Sequence, residues 1–338
     1  AIGANINLFF TSISPIKNDI LSPFIIVSYP CISFNYATIS MVINMKDYAI
    51  IGHAYNKTVR IYAATTKQLV QEAQSIHHSW PTASAALGRL LTAGALMGLM
   101  YKDGERITLR IQGDGPIKYM IAEANGSGKV RADIGNPEVY IKYESGPKAG
   151  KLNVSQAVGN GFLYVTKDLL MKHYYTSSSE LVSGEIAEDF TYYFTKSEQT
   201  NSSVGLGVLV NPDTTIQSSG GYILQLMPGA SEETVATLEN VILNLPSMTS
   251  HFNAGKTPED LFEKLSDASG EILKKVDIEY HCPCSYEGFL NSLNALSVDT
   301  LTPLVEEDHG AHIKCHFCHK EYHISEHDLI ALIKEKTT

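Results

Sequence analysis

His281-Cys282-Pro283-Cys284 and Cys315-His316-Phe317-Cys318 are the stretches from which the rest of the chain can be read. Each carries two thiols, and thirty residues separate Cys284 from Cys315. Zinc in a closed site takes four ligands, with thiolates at about 2.3 Å, so two close pairs brought together by a folded loop complete its shell without water. The second pair has ordinary knuckle spacing. The first, with one proline between its cysteines, does not. Bridging positions two apart strains disulfide geometry and makes the bond easier to reduce. Metal-bound thiolates are already deprotonated, and thiolate is the species that peroxide or hypochlorite attacks. Four ligands alone are equally compatible with a purely structural zinc knob; the C-x-C spacing is what argues for reversible redox chemistry.

Length and charge narrow the surroundings. The chain has 338 residues, 44% of them hydrophobic, enough for two or three domains with a sizeable core. Twenty-six basic against thirty-six acidic side chains give a net charge of -10, which opposes binding to phosphate backbones or anionic membranes. From His281 onward there are nine Asp or Glu, four Lys and no Arg, net -5, unlike a nucleic-acid zinc ribbon. Only Cys31 lies outside the cluster, so the chain is no disulfide-stapled secreted scaffold and reads as cytoplasmic. Its longest apolar stretches, such as 24–27, are too short to span a membrane.

Residues 1–45 differ from the rest: Lys17 and Asp19 are their only charges before Lys46, and no periodicity persists. They are expected to be an upstream extension outside the fold, with Cys31 incidental and Met45-Lys46-Asp47-Tyr48 resembling a natural start. Residues 46–227 read as an α+β core domain. Strands are expected over 107–111, 117–123 and 129–134, a meander punctuated by Gly113-Asp114-Gly115-Pro116 and Asn125-Gly126-Ser127-Gly128. Further strands are expected over 189–195, 204–210 and 221–226. A helix over 82–100, with Gly88, Gly94 and Gly98, is expected to pack closely on the sheet. Residues 228–276 read as a helical linker. Ser231 caps one helix, whose Val235, Leu238, Ile242 and Leu245 share a face, and Thr257-Pro258-Glu259-Asp260 starts another running through Leu261, Phe262, Leu265, Ile272 and Leu273. Residues 277–338 read as the small zinc-binding domain, and if the linker's apolar faces pack partly against it, its collapse is expected to expose them.

Together these features resemble the heat shock protein 33 family, the redox-regulated 33-kilodalton chaperonins, over roughly 45–335. The carrying motifs are Trp80-Pro81-Thr82-Ala83-Ser84-Ala85-Ala86-Leu87-Gly88-Arg89, Leu181-Val182-Ser183-Gly184-Glu185, Asp189-Phe190-Thr191-Tyr192-Tyr193, Gln225-Leu226-Met227-Pro228-Gly229 and the cysteine pairs. The resemblance implies a holdase that binds unfolding or oxidatively damaged clients and prevents their aggregation. It implies one Zn2+ held by Cys282, Cys284, Cys315 and Cys318 in the reduced, inactive state. Oxidation would then form Cys282–Cys284 and Cys315–Cys318 bridges, release zinc, unfold the C-terminal domain, loosen the linker and permit homodimerisation. By spacing alone, four cysteines allow three pairings. A domain of about sixty residues buries too little to be robust alone, and a structural zinc contributes ~10 kcal/mol or more of apparent free energy, so its loss should unfold the domain.

Other chemistries are weaker. Seven of the chain's twelve histidines, at positions 281, 309, 312, 316, 319, 323 and 327, crowd the cysteine region, yet four thiols already suffice. His323-Ile324-Ser325-Glu326-His327 matches an H-x-x-E-H metalloprotease pattern but leaves little chain for a cleft. Gly113-x-Gly115 precedes a strand-like run rather than a helix, so it reads as a hairpin turn and not a dinucleotide loop. No enzymatic turnover is expected. The alternative function is a zinc-ribbon adaptor that binds nucleic acid or a ribosomal partner.

Overall fold

The computed structural model describes residues 46–337, and the extension expected over 1–45, with Cys31, lies outside the described residues. The chain opens with β1 (Asp47–Ala54), β2 (Val59–Thr65), α1 (Lys67–His77) and α2 (Pro81–Gly98). There follow β3 (Arg106–Gly113), β4 (Tyr119–Asn125), β5 (Lys129–Ile134), α3 (Val154–Val158), β6 (Gly161–Asp168), β7 (Tyr175–Glu180), α4 (Ala187–Lys196), β8 (Ser202–Val210) and β9 (Ile216–Leu226). Next are α5 (Glu232–Leu243), α6 (Met248–Asn253), α7 (Pro258–Ser266) and β10 (Glu271–Tyr280). Last come α8 (Tyr286–Leu293), α9 (Val298–Glu306), β11 (Gly310–Lys314), β12 (Glu321–Ser325) and α10 (Glu326–Thr337). The class is α+β, as expected.

Ten strands join in the order β7-β6-β3-β4-β5-β10-β1-β2-β9-β8. The expected meander is β3-β4-β5, and its alternating burial puts Ile107, Leu109, Ile111, Met120, Ala122 and Ala132 on one face. Against that face lies α2, buried at every position but Pro81 and Arg89, as a helix without a polar side must be. Glycine lets it approach closely: a Cβ on Gly88 would sit 2.6 Å from Val70 Cγ1 and 2.9 Å from Val208 Cγ2.

β10 is the seam of the sheet. It pairs antiparallel with β1 from Asp47↔Ile278 to His53↔Glu271, with a bulge between Ile51 and Gly52. Its other edge meets β5 in parallel at only Glu279↔Lys129 and Tyr280↔Val130. Of its side chains only Ile278 is buried.

Three expectations are corrected. Residues 189–195 lie in α4, not a strand: Phe190, Tyr193 and Phe194 fall on one helical face and are buried. The Asp189 carboxylate accepts from the backbone N–H groups of Val182, Ser183, Gly184 and Ile186, which fixes the helix start. Ile272 and Leu273 belong to β10, not to the helix begun at Thr257. That helix stops at Ser266, and Asp267 and Ala268 take left-handed φ values of 46° and 56° before the strand. Finally, the linker helices do not turn their apolar faces toward the cysteine-bearing segment. Leu238, Met248, Leu261, Phe262 and Leu265 pack on Ile50, Ile61, Tyr222 and Leu224 of the sheet. The caps behave as read: Ser231 accepts from Thr234 N–H, and Thr257 and Asp260 bond reciprocally.

The C-terminal segment has a small core of its own, Leu301, Ile324, Leu329 and Leu332, edged by half-buried residues of α8 and α9.

Candidate metal centre

β10 delivers the first cysteine pair. His281 N–H donates to the Val130 carbonyl at 2.8 Å, so the strand's pairing with β5 persists up to Cys282. The chain then passes Cys284 and enters α8, capped by Ser285, which accepts from Gly288 N–H. The second pair occupies the turn between β11 and β12. Cys315 N–H donates to the Lys320 carbonyl at 2.9 Å and His319 N–H to the Cys315 carbonyl at 2.8 Å, closing a tight knuckle.

The four sulfurs converge, all within 4.8 Å of one another, and could hold a metal ion. Cys282 Sγ lies 3.7 Å from Cys315 Sγ, and Cys284 Sγ lies 3.2 Å from Cys318 Sγ. A tetrahedral ion with sulfur ligands at ~2.3 Å separates them by about 3.8 Å, within this spread. The thiols are free, and Cys315 is the buried one.

Residues outside the motifs shape this cluster. Arg131 on β5 donates through Nη1 to Cys282 Sγ at 3.6 Å, and its guanidinium is held by Glu123 at 2.5 Å. The Tyr280 hydroxyl accepts from Ala132 N–H at 3.2 Å and donates to the Phe317 carbonyl, tying β10 to both the core and the knuckle. The Tyr322 hydroxyl sits 3.3 Å from Cys284 Sγ. Burial pushes the Cys315 and Cys318 thiols up. It acts likewise on Cys284, but hydrogen bonds with Tyr322 and the neighbouring sulfurs outweigh it and bring that thiol down to about 7.

No imidazole joins the four sulfurs as a converged ligand among the described residues. His319 instead packs edge-on against His77 of α1, ring centroids 4.7 Å apart, and burial lowers the pKa of both. The H-x-x-E-H pattern is broken by the fold, because His323 lies in β12 and His327 in α10, its side chain 93% exposed. Gly113 ends β3 and Gly115 lies in the turn that leads to β4, as read. Spacing gave no sign of Arg131, Tyr280 or Tyr322; only the alternation of Val276, Ile278 and Tyr280 with charged residues could have marked β10 as a strand ending at the cluster.

The family model described as Hsp33 protein matches residues 47–325. A 33 kDa chaperonin of Acholeplasma laidlawii is 49% identical over 292 residues, 86% of this chain and 100% of its own length. One of Staphylococcus aureus is 46% identical over 290 residues, 85% of this chain and 98% of its own. The crystal structure of the 33 kDa chaperonin, a heat shock protein 33 homolog, from Thermotoga maritima superposes with a TM-score of 0.77 at 32% identity, covering 86% of this chain and 99% of that one.

Proposed function

The chain belongs to the Hsp33 protein family, and from that premise we propose that it is a chaperone of the holdase type, switched on by oxidation of its cysteine cluster. The observation that carries the switch is the convergence of four thiols within 4.8 Å in a domain with only a small core of its own. Cys282, Cys284, Cys315 and Cys318 would hold one Zn2+ in the reduced state; their separations and all-sulfur donor set fit it. When bound, zinc supplies folding free energy to the domain and keeps the sulfurs as thiolates.

Each pair loses two electrons on activation. One thiolate attacks peroxide, giving a sulfenic acid and hydroxide, and its partner displaces a second hydroxide as the disulfide forms. Cys282–Cys284 and Cys315–Cys318 are the proposed bridges. The sulfur contacts of 3.7 and 3.2 Å in the folded domain join different pairs. A bridge between pairs would staple β10 to the knuckle and hold the domain shut, whereas bridges within pairs leave the two segments untied. Release then passes to β10, whose end at Tyr280 and Cys282 is anchored by the cluster and whose side chains are mostly exposed. Loosened β10 and linker helices uncover the apolar face now covered by Leu238, Met248, Phe262 and Leu265, a surface suited to unfolded clients.

The setting is the cytoplasm, and no helix among the described residues is long and apolar enough to cross a membrane. The active form is a homodimer, without enzymatic turnover and without nucleic-acid or membrane partners. The deciding experiment is light scattering from a thermally unfolding client, with the protein reduced and zinc-loaded or treated with peroxide under mildly unfolding conditions. Suppression by the oxidised form alone is expected. Equal suppression by both forms would mean a constitutive chaperone with a structural metal. None by either would return the zinc-ribbon adaptor, for which salt-sensitive RNA binding is the check.

A further inference from the structure

The β11–β12 hairpin turns alternate side chains to opposite faces. Ala311, Ile313 and Ile324 pack into the small core, and Tyr322 lies against Phe289. His312, Lys314, Glu321 and His323 are exposed on the other face. There His312 and His323 are directly opposed across the strands, with rings stacked at a centroid distance of 4.3 Å and planes 17° apart. Glu321 Oε2 lies 3.4 Å from His312 Nε2, and both side chains are half exposed. The thiol cluster uses none of these groups.

We propose that His312 and His323, with Glu321 as a third donor, form a second and separate site for a divalent transition-metal ion such as Zn2+ or Ni2+. Imidazole nitrogen suits these ions, and a carboxylate oxygen is an acceptable companion for zinc. Directly opposed strand positions hold their Cβ atoms about 4.5–5.5 Å apart, a span that two imidazoles can bridge to one ion. Two nitrogens at about 2.0–2.1 Å from a tetrahedral ion are about 3.3 Å apart; because each lone pair lies in its ring plane, the stacked rings must turn out of their stack to share an ion, a rotation that exposed side chains can make. Lys314 is the cation on this face, directly across from Glu321, but the carboxylate engages His312 instead. Among the described residues the four thiols alone already stand converged as a set of three or more donors. The histidine pair supplies two, completed by Glu321 or water, so its ion should bind more weakly than one held by four thiolates. Such an ion joins β11 to β12 on either side of the turn that carries Cys315 and Cys318, bracing the hairpin from outside. The site does not depend on the cluster being a switch.

The test is calorimetric titration of the reduced full chain, its thiol cluster already loaded with zinc, with further Zn2+. One additional, weaker equivalent is expected. His312→Ala and His323→Ala should each weaken it at least tenfold, while a His309→Ala/His327→Ala double variant retains it. Excess Zn2+ should also slow amide hydrogen exchange over residues 310–325 in the unmodified protein and not in His323→Ala. The proposal is overturned by the absence of a further equivalent, by undiminished binding in both single variants, or by loss of the equivalent in the His309/His327 double variant.

Discussion

The guanidinium of Arg131 lies over the ring of Phe317, 3.9 Å from its centroid, while the same side chain reaches Cys282. A residue of the core sheet thereby holds both halves of the cysteine cluster. Arg131→Ala removes a cation–π contact and a hydrogen bond to sulfur, together about 1–2 kcal/mol. The expected outcome is a cluster that loses thiols to peroxide roughly fivefold to thirtyfold faster, followed by thiol titration against time.

Cys318→Ser removes one of the four converged sulfurs, the proposed zinc ligands, from a segment with little core of its own. Zinc affinity should fall by orders of magnitude, the C-terminal amides should exchange rapidly, and client aggregation should be suppressed without oxidant. Chelator competition measures the first effect and light scattering the last. Zinc held as tightly as before would contradict the assignment of Cys318.

Phe262 seals the linker onto the sheet at its irregular point. Its ring occupies the space where a Cβ on Gly52 or Gly270 would stand, within 2.5 Å, beside the bulge in the β1–β10 pairing. Phe262→Ala should cost about 3–5 kcal/mol in the stability of α7 and β10. A lower peroxide threshold for activation should accompany the fall in thermal midpoint.

Glu185 provides a pH signature away from the cysteines. Burial alone would raise its pKa, but hydrogen bonds from Tyr143 and Arg89, the Arg89 charge and Lys148 outweigh it and hold it at about 2. A carboxylate depressed in the folded state adds stability that is present above its unfolded value, near 4.5, and is lost as pH falls toward 2. Thermal midpoints of the unmodified protein and Glu185→Gln should therefore differ most above about pH 5 and converge in acid.

Much of this was legible in the chain. The caps at Ser231 and Thr257, the meander between two glycine-rich turns and the all-apolar α2 follow local rules, and the structure bears them out. The cysteine spacing announced the cluster because four soft ligands in two close pairs have few other uses. Residues 189–195 misled because aromatic and threonine side chains favour strands, while the spacing of Phe190, Tyr193 and Phe194 was helical. β10 misled for a different reason: a strand completed by partners more than 140 residues away, such as Ala132 for Tyr280, leaves only a faint alternation in its own sequence. Arg131 was invisible because nothing local distinguishes an arginine that meets a distant sulfur from one that meets water.

The seam position of β10 has a consequence for what an opened molecule would offer. Withdrawing that strand leaves β1 as the bare border of one half-sheet, with a row of amide donors and carbonyl acceptors that it had satisfied, and frees the short stretch of β5 around Lys129 and Val130 on the border of the other. An unfolding polypeptide carries the same unmet groups at the same repeat, whatever its side chains. Backbone pairing at these borders would let one small protein hold many unrelated sequences, with the apolar surface nearby supplying grip and the borders supplying indifference to sequence.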